Sequence, residues 1–105
     1  MKVVDVVYKI TDKFPTNERY SLTSQITQSA VSIPSNIAEG ASRSSEKYFA
    51  MFLEISLGSS FELETQLRIA IKRNYVAISE FEVMLKNIIS LQKRIHALRK
   101  KILNN

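Results

Sequence analysis

Apolar residues fall along the chain in four blocks, and each block has the period of a helix rather than a strand. In the first, Val3, Val4, Val7, Ile10 and Phe14 share one stripe, with Lys2, Asp5, Lys9 and Asp12 outside it. This predicts a helix from about Val3 to Lys13, ended by Pro15, because the residue before a proline resists the helical region. In the second, Leu22, Ile26, Ala30, Ile33 and Ile37 recur at spacings of 4, 4, 3 and 4. The third places Phe49, Phe52, Leu53, Ser56, Ser60, Leu63, Leu67 and Ala70 on one stripe of a helix reaching about Arg73. The fourth is a seam of Phe81, Leu85, Ile88, Leu91, Ile95, Leu98 and Ile102, stepping 4, 3, 3, 4, 3, 4. That is close to a heptad seam and suits nearly parallel packing.

The polar positions add detail. Beside its apolar stripe the second helix offers Ser24, Thr27, Ser29, Ser32, Ser35 and Asn36, with no long charged side chain before Glu39. Short side chains let a neighbouring helix approach closely, and their hydroxyls and amides need partners where they are buried. Pro34 removes a backbone donor inside this helix, so a kink is expected near Ser32–Pro34, with Gly40 ending the helix in a left-handed conformation. Gly58, Ser59 and Ser60 lie at the middle of the third helix. A glycine there weakens a helix by about 1 kcal/mol relative to alanine, so a close crossing with the second helix is expected, and Gly58→Leu should overpack it. Glu18 is placed to favour the start of the second helix, Ser44 or Ser45 to cap the third with Glu46 in its first turn, and Ser79 with Glu82 to form a capping box for the fourth. Four helices joined by short loops predict one all-α domain over residues 1–105, an up-and-down antiparallel four-helix bundle.

The first helix is under roughly 20 Å long, whereas the third should exceed about 35 Å. Part of the bundle is therefore left uncovered, and large exposed apolar patches mark interfaces. A homo-oligomer is expected on that ground.

Charge changes the picture further. The net charge of +5 is unevenly placed: residues 68–105 hold nine basic and two acidic side chains, residues 1–67 six basic and eight acidic. Lys86, Lys93 and Lys100 repeat at seven residues and line one side of the fourth helix, with Arg94 and Lys101 one position on. Phosphates attract such a row without base contacts, which points to nucleic-acid binding that is sequence-tolerant and salt-sensitive. The same row reads equally well as a solvated face. No Phe, Tyr or Trp follows Phe81, which argues against base-stacking platforms and against an interfacial membrane helix.

Other chemistry finds little support. There is no cysteine, and His96 is the only histidine. Disulfides, thiolate nucleophiles, Ser-His-Asp arrangements and the paired Glu-x-x-His motifs of di-iron bundles are all excluded, and His96 reads as a plain surface or seam residue. No glycine-rich phosphate loop is present. Ser32, Pro34, Asn36, Glu39, Glu62 and Glu64 form a candidate polar cluster. A pair of these carboxylates could serve as acid and base, but without further catalytic groups the stronger reading is structural: hydrogen bonds across the second and third helices, or pairing with a neighbouring subunit. The expectation is a non-enzyme without cofactor, metal or small-molecule substrate. With no signal peptide and no segment of the ~20 apolar residues that span a bilayer, a cytoplasmic protein is expected.

The string Ser-Leu-Thr-Ser-Gln-Ile-Thr-Gln-Ser-Ala-Val-Ser-Ile-Pro-Ser-Asn-Ile-Ala-Glu-Gly, residues 21–40, carries a resemblance, as does the segment from Phe52 to Leu67 with the basic helix that closes the chain. It covers nearly the whole chain. The sequence resembles the four-helix bundle family that includes proteins encoded in intervening sequences of bacterial large-subunit ribosomal RNA genes; accessory proteins of diversity-generating retroelements are more distant relatives. The resemblance implies an up-and-down bundle, assembly into a homopentamer, and a role with RNA or DNA. Family members commonly carry two basic residues where this chain has Thr27 and Gln28, which removes those charges from any RNA contact here. They also commonly carry an aromatic-rich helical segment ahead of the first helix, so a truncated or late-assigned start is expected. The alternative to nucleic-acid binding is a homo-oligomeric scaffold that recruits a protein partner.

Overall fold

The computed structural model describes residues 2–104. Four α-helices follow in order, with no strand among the described residues: α1 (Lys2–Thr11), α2 (Leu22–Ala41), α3 (Glu46–Lys72) and α4 (Ile78–Leu103). A single 3-10 turn, Thr16–Glu18, lies in the first connection. Cross-helix bonds fix the antiparallel sense. Ser32 meets Ser59, and Ser56 reaches the Ile33 carbonyl; on the other side Arg99 reaches Ala50 while Gln92 reaches Glu64. Helices α2 and α3 form the most extensive pair, α4 lies along α3, and α1 packs mainly on α2.

The apolar stripes go where their spacing sends them. Val7, Ile26, Ala30, Ile33, Leu53, Leu63, Leu67, Met84 and Ile88 are essentially inaccessible and form one continuous core. Each large aliphatic side chain buried in this way contributes roughly 1.5–3 kcal/mol, so the core rather than helix propensity holds the bundle. The α4 seam departs from the expected one at two places. Met84 is buried, whereas Leu98 is 39% exposed. The cause is the length of α1. It has 10 residues against the 27 of α3, and it meets α4 near its start, where Val6 and Ile10 lie beside Val83 and Lys13 pairs with Glu80. Leu98 lies beyond that cover.

Both glycines behave differently from expectation. Helix α2 runs on through Pro34 to Ala41, and Gly40 is helical rather than left-handed. A Cβ on Gly40 would stand 2.8 Å from Phe52 Cβ and 2.9 Å from Phe49 Cδ1, so close packing against α3 is what demands a glycine there. Gly58 is the reverse. A Cβ there meets nothing within 4 Å, so α2 does not cross at Gly58, and the expected overpacking by Gly58→Leu does not apply within one protomer. The close crossing instead uses Ser56 and Ser59, which stand on the face turned toward α2.

The helix ends are also corrected. Helix α4 starts after Ala77, so Ser79 lies inside the first turn and caps nothing. Ser45 occupies the cap position of α3 without a side-chain bond to the helix. Helix α3 is closed by Asn74 at φ 63°, with Tyr75 N–H bonded to the Ala70 carbonyl and Asn74 N–H to Ile71. That is the Schellman arrangement, with asparagine taking the left-handed position. Glu18 does cap α2: its Oε2 accepts from Ser21 Oγ at 2.8 Å and from Leu22 N–H at 3.4 Å.

Candidate nucleic-acid interface

Phe81, Met84, Ile88, Leu91 and Ile95 seat α4 in the core. With that side inward, Lys86, Ser90, Lys93, Ala97 and Lys100, spaced 4, 3, 4 and 3, share the opposite side, and all are exposed. Arg94 and Lys101 are exposed beside them. At about 1.5 Å per residue, the lysine row extends roughly 21 Å along the helix. Lys86, Ile89, Ser90, Lys93 and Arg94 line a shallow hollow at its first half. Its polar groups are three cations and a hydroxyl, so the hollow offers hydrogen-bond donors and positive charge to an anion.

The pairing of the charges separates this row from the rest of the surface. Among the described residues four ion pairs form: Lys13–Glu80, Arg43–Glu39, Arg68–Glu64 and Arg99–Glu54. None involves Lys86, Lys93, Arg94, Lys100 or Lys101. Arg99 is instead a structural residue, donating from Nε to the Ala50 carbonyl at 3.2 Å. The five cations therefore stand exposed on one helix without a carboxylate partner among the described residues.

The candidate polar cluster divides. Ser32 and Asn36 belong together: Asn36 Nδ2 donates to the Ser32 carbonyl at 2.8 Å and to Ser32 Oγ at 2.9 Å, and Ser32 Oγ shares a bond with Ser59 Oγ at 2.8 Å. Ser56 Oγ, fully buried, donates to the Ile33 carbonyl in the turn that holds Pro34. The three carboxylates stand elsewhere. Glu39 pairs with Arg43, Glu64 bonds Arg68 at 3.2 Å and Gln92 at 3.4 Å, and Glu62 lies exposed beside Gly58 and Phe61. No carboxylate joins the serines between α2 and α3, so the Ser–Asn network fixes register and brings no acid–base pair together.

One constellation has no signal in the sequence. Tyr75 Oη donates to Glu18 Oε1 at 3.2 Å, tying the turn after α3 to the start of α2, and the Arg73 guanidinium stacks 5.8 Å from the Tyr75 ring. The Ser21 hydroxyl, then the Leu22 amide and Tyr75 hydroxyl, hold the Glu18 carboxyl below its usual range. The residues are 57 apart in sequence, and no local spacing announces the contact. Among the described residues, no group of three His, Asp or Glu side chains is placed to hold a metal ion, and no helix is long and apolar enough to cross a membrane.

Fold and surface together define a small all-α four-helix bundle with one basic outer face. The chain belongs to the 23S rRNA-intervening sequence protein family, whose model matches residues 1–97. Among solved structures it is similar to a protein of unknown function from the S23 ribosomal protein family of Bacteroides thetaiotaomicron, at 25% identity and a TM-score of 0.76. That match covers 93% of this chain and 98% of the other. No curated protein matches the sequence.

Proposed function

We propose that this chain is a non-enzymatic, cytoplasmic, homo-oligomeric bundle protein that binds RNA through the outer face of α4. The observation that carries the reading is the set of five exposed cations, Lys86, Lys93, Arg94, Lys100 and Lys101, none paired with a carboxylate among the described residues. The ribosomal RNA context in the family's name supports RNA as the polyanion, with DNA as the other nucleic acid of the same backbone chemistry. The row contacts phosphates and leaves base edges unread, so binding tolerates changes of sequence. In a symmetric ring, five-membered if the family resemblance extends to assembly, each protomer repeats the row and weak local attraction adds through multivalency.

A second reading, a scaffold that recruits a protein partner, is favoured by the outer face of α2 and α3, where exposed Met51, Ile55 and Ile69 stand with few charges beside them. Titration of a labelled RNA over a range of salt separates the two. Binding through this face gives log K falling linearly with log salt, with a slope of about 0.7–0.9 per phosphate contacted. Absence of RNA binding at low salt contradicts the RNA reading and leaves the scaffold.

A further inference from the structure

No aromatic residue follows Phe81 in the sequence, yet the fold brings one to the α4 row from another helix. Phe61 and Leu57 of α3 line a hollow together with Gln92, Lys93 and His96 of α4. Phe61 leaves 52% of its surface in solvent and takes no part in the core, whereas Leu57 is half-buried against it. Gln92 is held from the α3 side by its bond to Glu64 at 3.4 Å. The hollow measures about 220 Å³ and its wall is almost wholly apolar. That is below the roughly 300 Å³ at which ordinary small-molecule sites begin, and it suits one planar ring lying against the surface.

The hollow is continuous with the basic face. Lys93 lines both this hollow and the one formed by Lys86, Ile89, Ser90 and Arg94. Lys93, His96 and Lys100 step 3 and 4, so they share one side of α4, and all three are exposed. No carboxylate lines the hollow. Glu54 pairs with Arg99 and Glu64 with Arg68, while Glu62 lines a separate hollow with Gly58, Thr65 and Gln66. A single exposed phenylalanine needs no explanation by itself. An exposed ring beside cations without carboxylate partners has a specific use, since single strands are held by phosphates on cations and bases on aromatic faces.

We propose that the hollow between α3 and α4 accepts one unpaired base of an RNA strand whose phosphates lie on the α4 row, with the base stacked on Phe61 and His96 beside it. The proposal rests on the RNA reading above and narrows its ligand to single-stranded RNA. In a duplex the bases are stacked on one another and paired, and none reaches the hollow without being flipped out. Every base has a π-face, so stacking of this kind leaves binding tolerant of sequence, as the phosphate row does. The aromatic partner that α4 lacks is supplied by α3, and only the packing of the two helices brings them together.

The test is the affinity of the full chain for a labelled oligouridylate of about 12 nucleotides and for a fully paired RNA duplex of the same length. Wild type is expected to bind both, since both offer phosphates to the row. Phe61→Ala is expected to lose roughly 5- to 150-fold in affinity for the single strand, the loss of one stacked base, and none for the duplex. Its salt slope should stay that of the wild type, because the ring carries no charge. Phe61→Tyr keeps the ring face and should bind the single strand as the wild type does. A wild type that binds neither RNA at low salt overturns the RNA reading and the base site with it. A wild type that binds only the duplex, or a Phe61→Ala protein that binds both RNAs unchanged, overturns the base site and leaves the phosphate row standing. So does an equal loss for strand and duplex. A loss that comes with a changed mass in solution assigns the ring to a contact between chains and likewise overturns the base site. If Phe61→Ala fails to fold, Phe61→Leu decides, since leucine keeps apolar bulk without a ring: unchanged affinity for the single strand overturns the proposal.

Discussion

On the inner side of the α2–α3 pair, Gly40 lies under Phe49 and Phe52, where an added Cβ finds its nearest neighbour at 2.8 Å. On the outer side, Gly58 faces open space. The hydroxyls follow the same division. Ser56, Ser59 and Ser60 are buried, and each makes a hydrogen bond, whereas Ser35 stands in solvent. The inner face is set by packing within one protomer, and its small residues are there because the helices touch. The outer face shows the same kinds of residue with nothing in the protomer to account for them. Its counterpart on α4 is just as exposed but carries a row of cations. The exposed surfaces of this bundle are therefore of two kinds, one of small and apolar residues with few charges and one lined by a row of cations without carboxylate partners among the described residues.

The strongest way to break the comparison is to enlarge both glycines. Gly40→Leu should lower stability by roughly 1–3 kcal/mol or more, because Phe52 Cβ and the Phe49 carbonyl belong to the helix and cannot swing aside. Gly58→Leu should raise the stability of the protomer by about 0.5–1 kcal/mol, the gain of a better helix former in open space. Thermal or urea melts of the two variants check this; equal effects would erase the distinction between the faces.

A smaller effect sharpens the inner face alone. Ser56→Ala removes the buried bond to the Ile33 carbonyl and should lower stability by about 0.5–1.5 kcal/mol, read from the shift of a urea midpoint. The same change at exposed Ser35 should leave the midpoint in place.

The smallest effect concerns the end of the bundle. The Glu18 carboxyl is held below its usual range, first by the Ser21 hydroxyl. A group whose value is lowered by folding adds stability above its unfolded value, and that stability is lost as pH falls through the folded one. Melting temperature should therefore drop on the acid side of the carboxylate range, and Glu18→Gln should flatten that drop. An unchanged acid limb in Glu18→Gln would show that other carboxylates carry it.

The apolar stripes and the α4 row were legible in the sequence because both depend on spacing along a single helix. Ile26, Ile33, Leu53 and Leu63 are inaccessible, and Lys86, Lys93 and Lys100 share the exposed side. The need of Ser32 and Asn36 for partners was legible too, since buried polar groups require them. What spacing cannot show is which neighbour stands opposite. Both glycines were assigned the wrong surroundings for that reason. Long carboxylates choose partners by local geometry: Glu64 turned to Arg68 and to Gln92 on α4 rather than toward the serines. Leu98 continues the seam in sequence, but its cover depends on where α1 begins and ends. The Glu18–Tyr75 contact joins two turns that only the completed fold brings together.

The most direct measurement is RNA affinity as a function of salt for Lys86→Glu/Lys93→Glu/Lys100→Glu beside the wild type. All three lysines lie opposite the residues that seat α4, so helicity and assembly should not change. The reversed row should bind more weakly, with the slope of log K against log salt flattened by roughly two to three units per engaged row, at about 0.7–0.9 for each phosphate no longer neutralised. If the triple variant folds and assembles as the wild type does and binds RNA with the same affinity and the same slope, the α4 face is only solvated, and the RNA reading is wrong.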